Sequence, residues 1–386
     1  REPRRVGWVP MRFRTVLAAA ALTAALPASA HAATIVVHPG ESIQDAVDQA
    51  HGGDRVKVLP GTYREDGTKC KAEGGRCAVL IKRNGIKLVG AAKEGHPVVL
   101  AARNKQHVGI EVARTGDFHC LHKGKQRIKG SLVKGFTVRG FSGDGVVVFC
   151  ADNWRVTNVV AKENDEYGIF PLYVGKGRVD HSFASDSNDT GIYIGQSHDV
   201  LIDTNFARRN VSGFEIENSS NVLAVRNTGT GNTAGLLSFA LPNLHVKANK
   251  NNVIRNNFFH HNNKKNTCLD PDDEVCNVPR GSGIVMVAVD KNLVFDNTVK
   301  HNDTDGIALV SYCILVGKPN CTTDIDPNPD KNQITDNLVK GNGQHPVEQY
   351  KDLASDLVWD TTGDGNCWAR NTYDTSFPDE LPACNP

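Results

Sequence analysis

A repeat of 22 or 23 residues runs through the middle of the chain and limits the folds that it can adopt. Each copy begins with a glycine and a short alternation of apolar residues, and a second apolar alternation followed by asparagine lies between successive glycines. This pattern is typical of short strands joined by glycine and asparagine turns. The glycines that mark it are Gly145, Gly168, Gly191, Gly213, Gly235, Gly283 and Gly306.

Short strands at such a period cannot bury their apolar faces alone, but coils stacked on one another can. Asparagine suits the corners because it tolerates left-handed backbone and its side-chain amide can bond to the next coil. A leucine-rich repeat would need an L-x-x-L-x-L run, and a helical solenoid would need a period of 3.6, and the chain has neither. The sequence therefore predicts an all-β fold, a right-handed single-stranded parallel β-helix.

The ends of a solenoid expose core residues and need caps. Residues 39–52 form an amphipathic pattern with Ser42 as the expected N-cap, which predicts an N-terminal capping helix. Residues 350–386 hold an apolar segment and two tryptophans, from which we predict a closing plug. We expect residues 33–386 to form a single domain and to be monomeric.

The first 32 residues have the features of an export leader. Arg12 and Arg14 precede an apolar run from Val16 to Leu26, and a small-x-small cleavage pattern ends at Ala32. We expect residues 1–32 to be removed, with 1–10 an upstream extension, and the remaining chain to be secreted and extracellular without a membrane span. The removed residues hold five arginines and one glutamate, so the net charge falls from +1 to −3 and nucleic acid is excluded as a partner.

Ten cysteines follow the leader, and they come in near neighbours along the chain. None forms a C-x-x-C pair, so disulfides are favoured over zinc in an exported protein. Most of these neighbours bracket polar segments that interrupt the repeat, which predicts loops stapled by disulfides. The pairs that proximity suggests are Cys70 with Cys77, Cys120 with Cys150, Cys268 with Cys276, Cys313 with Cys321, and Cys367 with Cys384.

Several runs resemble known exported β-helix proteins of bacteria. The segment Gly52–Tyr63 looks like the opening of pectate-lyase-like coils, and the runs Tyr167–Pro171, Thr190–Ser197, Gly213–Ser219 and Gly235–Asn243 are similar to a β-helix repeat family without an assigned reaction. The resemblance implies a pectate-lyase-like fold for nearly the whole chain after residue 33. That superfamily includes polyuronate lyases, mannuronan epimerases, polygalacturonases and noncatalytic copper-accessory proteins, so the fold does not choose a reaction.

Two glutamates give the strongest candidate site. Side chains alternate between the two faces of a strand, so if Phe214 and Ile216 point inward, Glu215 and Glu217 point outward together. Their Cα atoms are then about 7 Å apart, which suits a general acid and base flanking a water, or a calcium ion. A lyase or epimerase would need a base and a cation beside the uronate, and we assign these roles to His181 and Arg208.

The neighbouring coils supply aromatic and amide groups that fit a sugar surface. From these features we predict that the protein interacts with an extracellular polysaccharide in an open groove along the coils, as a polyuronate lyase or epimerase or as a glycoside hydrolase. The alternative is a noncatalytic carbohydrate-binding or metal-accessory protein, because the epimerase and polygalacturonase signatures are missing and His245, His260, His261 and His301 suggest a transition metal. The predicted substrate-binding residues are Phe170, Tyr173, Tyr193, Gln196, Asn218 and Phe239.

Overall fold

The computed structural model describes residues 32–121, 126–271, 274–318 and 321–384. Residues 1–31 of the predicted leader lie outside this part of the chain. Within it, the longest apolar helical stretches fall short of what a membrane crossing requires.

Three long sheets of stacked strands form the walls of the molecule, and each coil passes through them in turn. Apart from one short antiparallel pairing at Thr68–Lys69, the ladders within these sheets are parallel. We name the sheets first, second and third in the order in which a coil enters them. This arrangement confirms the predicted parallel β-helix.

The strand bounds show how regular the coils are. The first sheet contains Thr34–Val37, Arg55–Val58, Lys87–Gly90, Ile128–Lys129, Leu132–Lys134, Ala151–Asp152, Arg155–Thr157, Gly175–Asp180, His198–Asp203, Leu223–Val225, Val253–Arg255, Leu293–Phe295, Gln333–Thr335 and Cys367–Ala369. The second contains Gly61–Tyr63, Val98–Ala101, Thr137–Arg139, Val160–Lys162, Phe183–Ser185, Phe206–Arg208, Thr228–Thr230, Phe258–His260, Thr298–Lys300 and Leu338–Lys340. The third contains Thr68–Lys69, Arg76–Ile81, Val108–Val112, Val146–Phe149, Ile169–Leu172, Thr190–Gly195, Ser212–Glu217, Ala234–Phe239, Ser282–Val287, Asp305–Val310, Ser355–Trp359 and Ser376–Phe377. Asn249–Lys250 and Val289–Asp290 form a separate pair.

A short helix, Ile43–Gln49, closes the N-terminal end as predicted. Its N-cap is Ser42, whose side chain accepts a hydrogen bond from the Asp45 amide at 3.1 Å. The helix buries Ile43, Ala46 and Val47 against the first coils, which covers the open end of the core. In the described part of the chain, the other helical segments are Tyr312–Leu315 and the 3₁₀ turns Phe118–Leu121, Glu274–Asn277 and Glu348–Tyr350.

The predicted C-terminal plug comprises residues 350–386, and its described part, up to residue 384, continues the coil. Ser355–Trp359 adds a strand to the third sheet, and Cys367–Ala369 adds one to the first. Trp368 then lies next to Trp359, with ring centroids 5.4 Å apart. The two tryptophans therefore close the far end of the core from within the last coil.

Ladders of buried asparagine hold the corners together. In the ladder between the first and second sheets, Asn227 donates its side-chain amide to Asn257 Oδ1 at 3.1 Å, and Asn257 donates to Asn297 at 2.9 Å. The left-handed residue is the one before each of these asparagines, such as Arg226 with φ of 55°. The prediction that asparagine bonds to the next coil is therefore confirmed, but the left-handed turn belongs to its neighbour. Members of this ladder are Asn205, Asn227, Asn257, Asn297, Asn337 and Asn371.

All ten cysteines are paired as proximity suggested. Four of the five disulfides lie on loops that leave the coil next to the third sheet, and Cys367–Cys384 secures the C-terminal end. Two small apolar clusters lie on the outer face of the third sheet, in addition to the main core inside the coil. The loops therefore cover one wall of the solenoid selectively.

Candidate functional site

Glu215 and Glu217 lie on the outer face of the third sheet. Their neighbours Phe214 and Ile216 point into the coil and are fully buried there. Tyr193 pairs with Glu215 on the next strand, and Glu215 pairs with Leu237, so the predicted outward column forms. The coils are therefore stacked in the register that brings these distant segments together.

The outer face is covered by loops, and in this it differs from the open groove that the sequence suggested. Only 4% of Glu215 and 8% of Glu217 is exposed. The loop between Cys70 and Cys77 is held down by Glu111, which accepts a hydrogen bond from the Lys71 amide at 2.6 Å. The periodic pattern describes the coil but carries no information on where the nonperiodic loops lie.

A second loop, residues 113–121, reaches the same face from the other side of Glu111. The Cys120–Cys150 disulfide ties it to the end of a third-sheet strand. The Phe118 ring packs edge-on against Tyr173 at 5.5 Å and against His245 at 4.8 Å. Tyr173 is therefore part of the cover, although the sequence suggested that it would face a sugar.

Two predicted sugar-binding amides hold a third loop, residues 240–248. Gln196 Oε1 accepts a hydrogen bond from the His245 amide at 3.0 Å. The Asn218 side chain donates to Val246 O at 2.7 Å and accepts from the Leu241 amide at 2.7 Å. These amides are thus already bonded within the fold, and their roles in substrate binding stay a prediction.

Aromatic rings form a contiguous cluster beside the two glutamates. Tyr167 stacks on Phe170 with ring centroids 4.4 Å apart, and both rings contact Tyr193 at 5.2 and 4.8 Å. The Tyr193 hydroxyl donates a hydrogen bond to Glu217. Gly195 makes this contact possible, because a Cβ at that position would collide with the Tyr193 ring. Phe239 pairs with Glu217 on the opposite side and belongs to the apolar cluster farther along the sheet.

Burial and neighbouring acids shift the pKa values of Glu215 and Tyr193. Burial, followed by the nearby Asp189 carboxylate, raises the pKa of Glu215 well above its ordinary value. Burial, followed by Glu217, likewise raises the pKa of the Tyr193 hydroxyl. Burial therefore favours the protonated form of Glu215, while Tyr193 remains a hydrogen-bond donor to Glu217.

More acids lie on this wall than the sequence indicated. Asp189 is buried beside Glu215 and accepts a hydrogen bond from the Thr190 hydroxyl at 3.0 Å. Farther along, burial and then Glu111 and Glu166 raise the pKa of Glu73 to about 7. Asp144 is fully buried, and burial followed by Glu73 and Glu166 raises its pKa well above the ordinary value. We call Asp144, Glu166, Asp189, Glu215 and Glu217, with Glu73 on its loop, the acidic strip.

A signal for part of this strip was present in the repeat. Glu166 and Asp189 both stand two residues before a repeat glycine, and Asp144 stands one residue before Gly145. Aligning the coils on their glycines would have placed these acids in neighbouring coils at one edge of the third sheet. Glu73 gave no such signal, because its position depends on the path of the Cys70–Cys77 loop.

The structure does not bring His181 and Arg208 to the two glutamates. His181 occupies the exposed turn between the first and second sheets, where its Nδ1 lies 2.9 Å from Asp180 Oδ2. Arg208 ends a second-sheet strand, and its guanidinium lies over the Phe183 ring at 5.3 Å. Residues that are close in sequence here lie on different walls, because a coil changes direction at each corner.

Three of the four candidate metal-binding histidines gather on the second sheet. His260 Nδ1 lies 2.9 Å from His261 Nδ1, and the rings of His261 and His301 are 5.0 Å apart. His245 is elsewhere, against Phe118. Among the described residues, a tighter group is formed by Glu73, His107 and Asp144, whose potential ligand atoms lie within 4.8 Å of one another.

Solved structures with the same architecture include sugar-related proteins. The A-module of mannuronan C-5 epimerase AlgE4 from Azotobacter vinelandii superimposes with a TM-score of 0.57 at 16% identity, covering 86% of this chain and 94% of that chain. A tailspike protein of E. coli bacteriophage HK620, in complex with a pentasaccharide, superimposes with a TM-score of 0.58 at 10% identity, covering 86% of this chain and 60% of that chain. At these identities the likeness shows the fold alone.

Sequence comparison leads to the same architecture. No curated protein sequence matches the chain. The family model described as a right handed beta helix region matches residues 121–250 and 239–358. Together these matches span more than half of the 386 residues. The chain therefore belongs to the family of right-handed β-helix proteins.

Proposed function

We propose that this protein binds an extracellular polysaccharide along the outer face of its third sheet and hydrolyses a glycosidic bond there. The observation that carries the proposal is the pair of neighbouring outward glutamates: Glu215, whose pKa burial raises well above its ordinary value, and Glu217, which accepts a hydrogen bond from Tyr193. A carboxyl that donates a proton and a second carboxyl that accepts one are the basis of most glycoside hydrolysis. The five disulfides agree with an exported protein.

In this mechanism Glu215 is the general acid and Glu217 is the general base. Glu215 donates its proton to the glycosidic oxygen as the bond from that oxygen to the anomeric carbon breaks. Glu217 takes a proton from the water that attacks the same carbon, and solvent then restores the starting protonation of both groups. The Cα atoms of residues two apart on a strand are about 7 Å from each other, which leaves room for a water.

The charges on this wall favour an uncharged glycan over a polyuronate. The two charged groups that act most on Glu215 are Asp189 and Glu217, and both are acids. A lyase or epimerase must neutralise the uronate carboxylate with a cation, and His181 and Arg208 lie on other walls. The stacked Tyr167 and Phe170 rings offer an apolar surface for the face of a neutral sugar. Half-buried Glu166 and Tyr167 mark the edge from which a chain would approach.

A noncatalytic glycan-binding protein is the second candidate. It is favoured by the burial of Glu215 and Glu217 and by the internal hydrogen bonds of Gln196 and Asn218. In that case the acidic strip would serve the fold, and a glycan would bind without being cleaved.

Incubation with a panel of neutral, cationic and uronate polysaccharides separates these functions. A rise in reducing ends with a neutral glycan, without the ultraviolet absorbance of an unsaturated uronate, is the expected result. Absorbance from a polyuronate would show a lyase and contradict the proposed chemistry. Retention on a glycan column without product from any substrate would support the noncatalytic alternative.

A further inference from the structure

Glu73, His107 and Asp144 form a second cluster at the edge of the third sheet, apart from Glu215 and Glu217. One potential ligand atom of each residue lies within 4.8 Å of the other two. The three residues come from a disulfide-closed loop and from two successive coils. We propose that they bind a divalent transition-metal ion, for which Zn²⁺ is the best fit. This site does not depend on the hydrolysis proposed above.

Asp144 provides the observation that points to a ligand. Its side chain is fully buried, and its Oδ1 accepts a hydrogen bond from the Tyr167 amide at 3.2 Å. Its Oδ2 has no hydrogen-bond partner among the residues that the structure describes. A buried carboxylate oxygen without a partner is costly, and a bound cation would satisfy it.

His107 is held beside this carboxylate by the backbone around it. The Asp144 amide donates a hydrogen bond to the His107 carbonyl at 3.0 Å. The imidazole lies against Gly143, where a Cβ would approach the ring closer than 3.0 Å, and a Cβ on Gly75 would meet the His107 Cβ at 2.9 Å. The absence of side chains at both positions leaves room for the His107 side chain next to Asp144.

Glu73 is brought to the cluster by its loop. The loop is closed by Cys70–Cys77, and Glu111 accepts hydrogen bonds from the amides of Lys71 at 2.6 Å and Ala72 at 3.2 Å. Neither Glu73 nor Asp144 forms an ion pair with lysine or arginine in the described part of the chain. Two carboxylates and an imidazole therefore meet without a compensating cation.

The donor set selects the class of metal. One imidazole and two carboxylates suit zinc and related ions, whereas calcium prefers six to eight oxygen ligands. In a tetrahedral zinc site the ligand atoms are about 3.3 Å apart, so a rotation of the Glu73 side chain on its loop would bring the three ligand atoms to that spacing, and a water would take the fourth position. Cys70 and Cys77 are excluded as ligands because they are joined to each other.

Metal content of the full chain, purified without a histidine tag and stripped with a chelator, tests the site. After dialysis against Zn²⁺ we expect one zinc ion per chain by elemental analysis. Glu73→Gln and His107→Gln should each weaken zinc binding by at least about tenfold in calorimetry, because each removes a direct ligand and even outer-shell changes cost 10- to 100-fold. His181→Gln, on another wall, is the matched control and should bind like the unaltered chain.

Zinc could instead bind to the histidines of the second sheet. A His260→Gln/His261→Gln double variant tests this alternative. We expect this variant to keep its zinc ion. Loss of zinc in the double variant with retention in His107→Gln would overturn the proposal, as would an unaltered chain that takes up no stoichiometric zinc. Calcium uptake that depends on Glu73 but not on His107 would also contradict it. Circular dichroism spectra recorded in chelator show whether each variant folds. If His107→Gln does not fold, the zinc affinity of Glu73→Gln, whose substitution lies on a loop, tests the proposal.

Discussion

The outer face of the third sheet has two halves that share one backbone and differ in chemistry. In the half nearer the N-terminus, the outward column holds Leu80, Glu111, Val147, Phe170, Tyr193 and Glu215, so acids lie among apolar and aromatic residues. In the other half the same column continues with Leu237, Val285, Ala308 and Val358. Both halves are covered by loops, so a cover alone does not require buried acids.

This difference distinguishes side chains that are buried to stabilise the fold from carboxyls that are buried for a function. The apolar half forms a satellite core, which is the least costly way to seal a loop onto a sheet. The acidic half keeps carboxyls such as Asp144, Asp189 and Glu215 where burial opposes their ionisation. Groups that are retained against such a cost are candidates for function. The following predictions test whether the two halves differ in this way.

The largest effect should come from the two glutamates. Glu215→Gln or Glu217→Gln should lower turnover of the cleaved glycan by about 10²- to 10⁴-fold, because each removes a proton transfer. Leu237→Met, in the apolar half, should leave turnover unchanged. Initial rates of reducing-end release measure the effect, and equal rates in Glu215→Gln and the unaltered chain would remove this pair from the mechanism.

Acids are buried in the apolar half as well, and one of them, Asp305, predicts a pH dependence of stability. Burial raises its pKa from 3.8 to about 7, despite a hydrogen bond from Ser282 Oγ at 2.8 Å. Below about pH 4 the carboxyl is protonated in both states, whereas between pH 4 and 7 only the folded state keeps the proton. The free energy of unfolding should therefore fall as pH rises through this window, by up to about 4 kcal/mol.

Asp305→Asn should remove most of that pH dependence. Urea unfolding at pH 4 and pH 7.5 measures it, with the exposed Asp296→Asn on the same coil as the matched control. A variant whose stability changes with pH as steeply as that of the unaltered chain would show that Asp305 ionises normally in the folded protein.

In the apolar half, we expect the packing of apolar side chains to hold the loops against the sheet. Leu237 is buried beneath its loops, so Leu237→Ala should lower the free energy of unfolding by about 2–4 kcal/mol. Glu215→Gln should be nearly neutral, because burial disfavours the charged form of the carboxyl that it replaces. Chemical unfolding of both variants compares the two halves directly. A larger loss for Glu215→Gln than for Leu237→Ala would reverse the comparison.

The smallest effect is expected for the ion pair between Lys247 and Asp324, which links two of the covering loops. Both side chains are about half exposed, so solvent screens the interaction. Lys247→Ala should therefore change the free energy of unfolding by less than about 1 kcal/mol. A greater loss, and one that high salt abolishes, would show that charge and not apolar contact secures the cover.

Much of the fold could be predicted from the spacing of residues. The glycine repeat determines the coil and its register, so that Tyr193 and Glu215 become neighbours from segments 22 residues apart. The alternation determines which side chains point inward, and the spacing of the cysteines indicated their pairs. These properties depend on local and periodic patterns, so they can be predicted from a single sequence.

The tertiary structure decided what covers the third sheet. Loops that interrupt the repeat fold back over its outer face, so the predicted open groove became a buried strip and the amides of Gln196 and Asn218 became loop anchors. The same folding brings Glu73 to Asp144 and leaves His181 on another wall. Where a nonperiodic loop lies depends on its contacts with distant coils, and neither composition nor spacing along the chain encodes those contacts.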